Sequence, residues 1–225
     1  MSPREVILKH RAPWAPEKGL RMWVSGEAQG SQEDLILHPG ARKLLATWAG
    51  LKGERPAPRR ADLDLRQVPR QAPWLFILEP AGEARSFRYR LAGTAVCSFL
   101  KREVTGSDFL SGWERFERGA IARALAAVTG KLQPAHFRIR YLTDGGQRIG
   151  ADMLALPLLA RDGMTVHVLG GLFPHANPEI WHYERLAPAD LASLRLFEGR
   201  LDTPGIVGTQ APRKFRLISG GLDLP

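Results

Sequence analysis

The sequence predicts an α+β fold, and three observations carry that expectation. Apolar side chains recur at helical spacing across residues 111–130. Residues 137–141 then alternate apolar and basic side chains, the period of a half-buried strand. Two longer apolar runs, 148–158 and 164–172, follow and read as central strands, so this part of the chain is a helix followed by three strands.

Residues 1–34 are rich in charge, proline and glycine without a sustained period, which predicts an irregular arm; Trp14 and Trp23 within it are read as folding back on the domain. A helix follows within residues 35–52, clearest over 41–52, with Ala41, Leu44, Leu45, Trp48 and Leu51 as its apolar stripe and Gly53 as its stop. Pro56, Pro58 and Arg59-Arg60 make a stiff basic connector. Asp62 and Asp64 are two carboxylates of the kind acid–base chemistry uses. With no base or histidine nearby in sequence, they are read as turn caps ahead of a short helix over 65–68. Pro73 opens a strand over 74–79, and Ala81-Gly82-Glu83 turns it into a second strand over 86–92. There Phe87, Tyr89 and Leu91 alternate with Arg88 and Arg90. Residues 93–100 suit a short helix, and 101–110 a loop or helical turns.

In the longer helix, Ser111 and Glu114 have the spacing of a capping box. Trp113, Phe116, Ala120, Ile121, Ala124, Leu125 and Val128 form the apolar face, and Gly130 supplies the stop. The alanines leave room for a close strand or for a ligand, two readings that spacing does not separate. Asp144-Gly145-Gly146 and Arg161-Asp162-Gly163 are the turns between the last three strands. Beyond them, residues 179–200 predict another helix, with Leu191, Leu194 and Phe197 as its stripe and Pro188 near its start. Residues 203–225 are punctuated by glycine and proline and basic around Arg213-Lys214-Phe215-Arg216. The expected organisation is an arm over 1–34, a domain over 35–175 and a helical, basic extension over 176–225.

A chain of 225 residues buries a substantial core in one domain with extensions. Its 44% hydrophobic and 24% charged content is that of an ordinary globular protein. No apolar run is long enough for a membrane helix, residues 1–20 are too polar for a secretion signal, and a cytoplasmic location is expected. The single cysteine, Cys97, excludes an intramolecular disulfide and a zinc ribbon. A net charge of +9 and a pI near 10.3 invite a nucleic-acid partner. The arginines are nevertheless spread along the chain, without a recognition-helix, zinc-finger or aromatic RNA-binding signature. His175, Glu179 and His182 have a suggestive spacing, but Pro178 interrupts them and no metal is expected. Neither a phosphate-binding glycine loop nor a nucleophile elbow is present, so an enzyme is not expected. A third reading, an enzyme of cone-like α+β architecture, would need a buried Asp–His or Asp–Tyr dyad, which no spacing in the sequence assembles.

Phe87-Arg88-Tyr89-Arg90-Leu91-Ala92-Gly93-Thr94 resembles the strand-to-helix passage of PAS domains, and Lys101-Arg102-Glu103-Val104-Thr105-Gly106 the loop before their central helices. Upstream, Leu37-His38-Pro39, Trp48, Arg60-Ala61-Asp62-Leu63-Asp64, Val68-Pro69 and Pro73-Trp74-Leu75-Phe76 resemble a bacterial subgroup, PAS family 5, of short proteins built around one such domain. Leu65 stands where that subgroup usually has proline. The resemblance spans residues 35–174. It implies a five-stranded antiparallel sheet with helices on one face, plus the N-terminal helix and the C-terminal extension.

The resemblance also implies sensing in a cavity between sheet and helices, with Trp113, Phe116, Ala120 and Ala124 facing it beside Tyr89, Phe99 and Tyr141. The same side chains filling a collapsed core is the other reading. Haem-binding members use a histidine on the long helix, and residues 111–130 contain none. Flavin photosensors use a cysteine in an Asn-Cys-Arg-Phe-Leu-Gln-like motif. Cys97 instead sits in Ala95-Val96-Cys97-Ser98-Phe99 and is read as a small buried hydrophobe. No cofactor is therefore expected, and an unidentified small ligand stays open. Arg88, Arg90, Arg138 and Arg140 are expected on strands at opposite sheet edges, facing away from the helices, where a second copy in a homodimer or a separate signalling protein would dock. An ordinary solvated face is the alternative. The function expected is a stand-alone sensor or adaptor in signal transduction that binds a small ligand or a protein without catalysis. The alternative is a basic regulator contacting nucleic acid through its termini.

Overall fold

The computed structural model describes residues 36, 38–82, 86–175 and 182–197. The arm with Trp14 and Trp23, together with Leu37, Glu83, Glu179 and residues 198–225, lies outside the described residues.

Helix α1, Pro39–Lys52, begins where His38 turns its ring back to accept a hydrogen bond from the Gly40 N–H at 3.0 Å. Pro39 follows at the first helical position, where its missing N–H costs nothing. Gly53 closes the helix at φ 53° with its N–H on the Ala49 carbonyl. In the connector, the Asp62 carboxylate accepts from the Arg59 N–H and pairs with Arg55, and the Asp64 carboxylate accepts from the Arg66 N–H. Both aspartates are therefore occupied as turn caps.

Six strands form one antiparallel sheet: β1 Leu75–Ala81, β2 Ser86–Ala92, β3 Ala135–Leu142, β4 Arg148–Leu159, β5 Val166–Pro174 and β6 Asp190–Leu196. Their spatial order is β2-β1-β5-β4-β3-β6. Two further helices, α2 Thr94–Leu100 and α3 Arg118–Lys131, lie between β2 and β3 in the chain.

The sheet departs from the five-stranded expectation at β6, where the sequence predicts a helix. Leu191 and Leu194 are three residues apart, which reads as helical spacing. They pair opposite Ile139 and Phe137, which are only two apart, because the register shifts between Arg138 and Ile139. This bulge absorbs the extra residue and puts both leucines against the same core. β6 thus takes the edge that would otherwise have belonged to β3, and the Arg138 and Arg140 strand is not an edge strand.

The long helix also starts later than its sequence period implies. Asp108 accepts from the Leu110 N–H and caps a short 3-10 turn over Phe109–Gly112. Ser111 donates its hydroxyl to the Asp108 carbonyl at 2.7 Å instead of forming a box with Glu114. Trp113 is extended, and α3 begins only at Arg118. Gly130 lies inside α3 rather than at its end. Leu132 takes the left-handed conformation at φ 54°, where a non-glycine residue costs roughly 1–2 kcal/mol, and its side chain packs against the core beneath α1.

α2 and α3 lie on one face of the sheet, and the N-terminal helix α1 covers the other. α2 and α3 cover a core that includes Phe76, Tyr89, Phe137, Ile139 and Met153. On the opposite face, Leu44, Leu45 and Trp48 of α1 pack on Leu154, Leu156, Leu158, Leu169 and Phe173. Trp48 Nε1 also donates to the Pro157 carbonyl at 2.8 Å. Strands β4 and β5 are consequently covered on both sides, which is why they read as continuous apolar runs.

Candidate functional site

One residue from each of the strands β1 to β5 lines a cavity of about 260 Å³ on the α2/α3 face. Phe76 from β1, Tyr89 from β2, Tyr141 from β3, Met153 from β4 and Leu172 from β5 form its floor; Phe109 and Trp113 form a wall. The mouth carries Lys101, Arg102, Ser111, Gly112 and a segment from Glu184 to Ala189. That rim is stitched together: the Ala189 N–H donates to the Gly112 carbonyl at 2.7 Å, and the Glu114 N–H to the Ala189 carbonyl at 3.1 Å. The wall is a run of ring contacts, with centroids 5.6 Å apart for Phe76–Tyr89, 5.4 Å for Tyr89–Phe109 and 5.9 Å for Phe109–Trp113.

The three tyrosines of this region differ in their hydroxyls. Tyr183 donates to the Phe99 carbonyl at 2.8 Å. Tyr89 and Tyr141, each only 7% exposed, line the cavity and have no hydrogen-bond partner for their hydroxyls among the described residues. Burial pushes both phenols well above their ordinary range, so each keeps its proton and stays a donor.

Of the residues the resemblance assigns to the cavity, Tyr89, Trp113 and Tyr141 line it. Phe99 is buried behind Tyr141, with ring centroids 5.1 Å apart. Ala124 packs in the core and Ala120 is half-buried on α3, neither lining the cavity. Phe116 is 96% exposed, because the chain from Trp113 to Glu117 precedes α3 and does not share its apolar face. Cys97 is half-buried rather than enclosed; its Sγ lies 3.5 Å from Glu103 Oε1, and burial, aided by that carboxylate, pushes its pKa up.

The arginine stripes are largely neutralised within the domain. Glu79 accepts from Arg88 at 2.6 Å and Arg90 at 2.8 Å, and its pKa is held down by Arg90 and Arg88. Arg140 pairs with Asp190 at 2.7 Å.

A second cluster lies on the α1 face, and sequence reasoning missed it. The carboxylate of Asp152 in β4 is fully buried. His136 Nε2 lies 2.9 Å from its Oδ1, and the His38 backbone N–H donates to Oδ2 at 2.7 Å. His175 Nε2 lies 3.6 Å from Oδ2, and Arg138 Nε 4.0 Å from Oδ1. Burial raises the Asp152 pKa, but the bonds from His136 and His38 and the histidine charges outweigh it, leaving the pKa lowered. The available signal was a lone acid inside the apolar run 148–158. Its partners depend on strand register and on the docking of α1. His136 is 2% exposed and its Nδ1 is buried without a partner among the described residues. The evident work of the cluster is to pin the start of α1 to the sheet. Among the described residues, no group of side chains is placed to hold a metal ion, and no helix is long and apolar enough to cross a membrane.

No curated protein matches the chain at a significant level. The PAS domain family profile matches residues 36–173, from the approach to α1 to the penultimate residue of β5. That match covers more than half of the sequence and every strand of the cavity floor, and the chain belongs to the PAS domain family.

Proposed function

We propose that this protein is a sensor or interaction module that holds a small molecule in the cavity beside Trp113 and passes the bound state to a second copy or a separate signalling protein. The observation that carries the reading is the pair of unpartnered hydroxyls on the buried tyrosines Tyr89 and Tyr141, which offer two donors to a cavity with aromatic walls and a polar rim. An apolar chamber with a few convergent polar groups is the general form of a small-ligand site. The mouth is a place where occupancy reaches the rest of the domain, since Gly112 and Ala189 are bonded across it and the second of these leads directly into β6.

The reading is non-catalytic. Support comes from the Asp152–His136 pair, which is fully enclosed and lies on the sheet face opposite the cavity. The nucleic-acid alternative loses local support at Arg88, Arg90 and Arg140, each of which has a carboxylate partner. Native mass spectrometry of the protein purified without added ligand, beside a denatured sample, tests the proposal. A mass lost on denaturation, and absent from a Trp113→Ala variant, is the expected result. An apo protein that also takes up no small molecule from a carboxylate and amide panel would overturn it.

A further inference from the structure

We infer that the cavity selects a small carboxylate with an apolar body, its anionic end held by Tyr89, Tyr141 and Arg102. The inference rests on the ligand-binding reading above and adds the chemical class.

The donors define the class. Two buried phenols that keep their protons offer two O–H donors and ask for an acceptor. Arg102 is the cation best placed to join them. Its guanidinium reaches the rim, with Nη2 3.5 Å from where a Cβ on Gly112 would stand, and its charge acts on both Tyr89 and Tyr141. Among the described residues Arg102 has no carboxylate within ion-pair distance. Lys101 and Arg185 add positive charge at the mouth against Glu184 there and Asp108, whose charge also acts on Tyr89. A cation and two neutral donors lining one cavity favour an anion, because hydrogen bonds to a charged acceptor are roughly twice as strong as neutral ones.

Size and polarity narrow the choice. The 260 Å³ volume lies below the range of about 300–1,000 Å³ typical of drug-sized ligands, so the occupant is small. Phe76, Phe109, Trp113 and Leu172 offer apolar and aromatic surface for its body, inside the polar rim. A carboxylate offers the two acceptor oxygens that this arrangement can take, and its planar group suits a guanidinium.

The test is isothermal titration of the full chain with butyrate, benzoate and phenylacetate, each beside its neutral amide. At least one acid is expected to bind roughly tenfold or more tightly than its amide, the margin a charge-assisted contact provides. The Tyr89→Phe/Tyr141→Phe double variant and Arg102→Gln should each remove that margin. The phenylalanine variants keep the rings and delete hydroxyls that bond nothing in the protein, so melting temperatures should stay at the wild-type value. Equal binding of acid and amide would overturn the carboxylate class while leaving the cavity reading in place. Binding of no probe would overturn both, and an acid preference that survives in all variants would overturn the assignment to these three residues.

Discussion

Asp152 Oδ1 and His136 Nε2 meet at 2.9 Å in the buried layer between the sheet and α1, and the other carboxylate oxygen takes the backbone N–H of His38 from 114 residues away. One side chain thereby joins β3, β4 and the first turn of α1. The position also suits the charge, because a carboxylate at a helix N-terminus meets its unsatisfied N–H groups and the positive end of its dipole.

Replacing Asp152 by alanine leaves the buried His136 and the half-buried His38 N–H without their acceptor. Leaving buried donors unsatisfied in this way costs about 1–3 kcal/mol. Urea denaturation should show a lower midpoint, and hydrogen exchange should show faster opening of α1 than of β4. An unchanged midpoint would remove the pinning role.

Acid should weaken the same region in two stages. Burial, then the charge of His175, lowers the His38 pKa from its ordinary 6.5, despite the opposing pull of Asp152. A group with a depressed folded pKa contributes stability above its unfolded value and loses it as pH falls through the folded value. His38 therefore gives way below pH 6.5, when protonation of Nδ1 removes the acceptor for the Gly40 N–H, and Asp152 gives way below its ordinary 3.8. His38→Asn keeps a capping acceptor without a proton to gain. Its melting temperature should vary less between pH 7 and pH 5 than that of the wild type.

Glu117 should act in the opposite sense. Burial and its contact with the Asp190 carboxyl push its pKa up to about 7, against the Leu191 N–H that it accepts at 2.6 Å. With the folded pKa raised, this contribution is complete below the ordinary 4.5 and is lost as pH rises through about 7. Glu117→Gln keeps an acceptor for Leu191 and offers Asp190 a donor. It should melt higher than the wild type at pH 8 and close to it at pH 5; a uniform shift at both would sink the titration argument.

Two neighbouring glycines in β5 hold the two sides of the sheet at close range. A Cβ on Gly170 would stand 2.0 Å from the Phe76 ring, and one on Gly171 would stand 2.6 Å from Leu44 and from Phe173. Overpacking of this kind costs about 1–3 kcal/mol. Gly170→Ala should therefore lower the melting temperature and, by displacing Phe76, also weaken binding of small probes in the cavity. Gly171→Ala should lower the melting temperature through α1 while leaving probe affinity within twofold or so of wild type. Equal effects of both variants on affinity would contradict this separation of the faces.

Much of the scaffold was legible because its signals are local. The stripe from Ala41 to Trp48, the alternation through Tyr89 and Tyr141, and the glycines at the turns depend only on residues within a few positions of one another. The same alternation places Tyr89 and Tyr141 on a common sheet face, since side chains two apart on a strand point the same way. Where local spacing misled, a contact from elsewhere had decided the outcome. Leu191 and Leu194 read as helical until β3 supplied a bulged partner for them, and Phe116 joined an apolar stripe on a helix that begins only after it.

The sequence by itself determined the strands β1 to β5, the helix α1 and the family, because periodicity, turn chemistry and ordered motifs are properties of neighbouring residues. Only the tertiary structure decided that α1 covers the second face, that β6 completes the sheet, and that Glu79 neutralises Arg88 and Arg90. It alone brought Asp152 to His136 and His38. Pairing register and helix docking are settled by burying apolar surface across the whole chain, and no short stretch carries that sum.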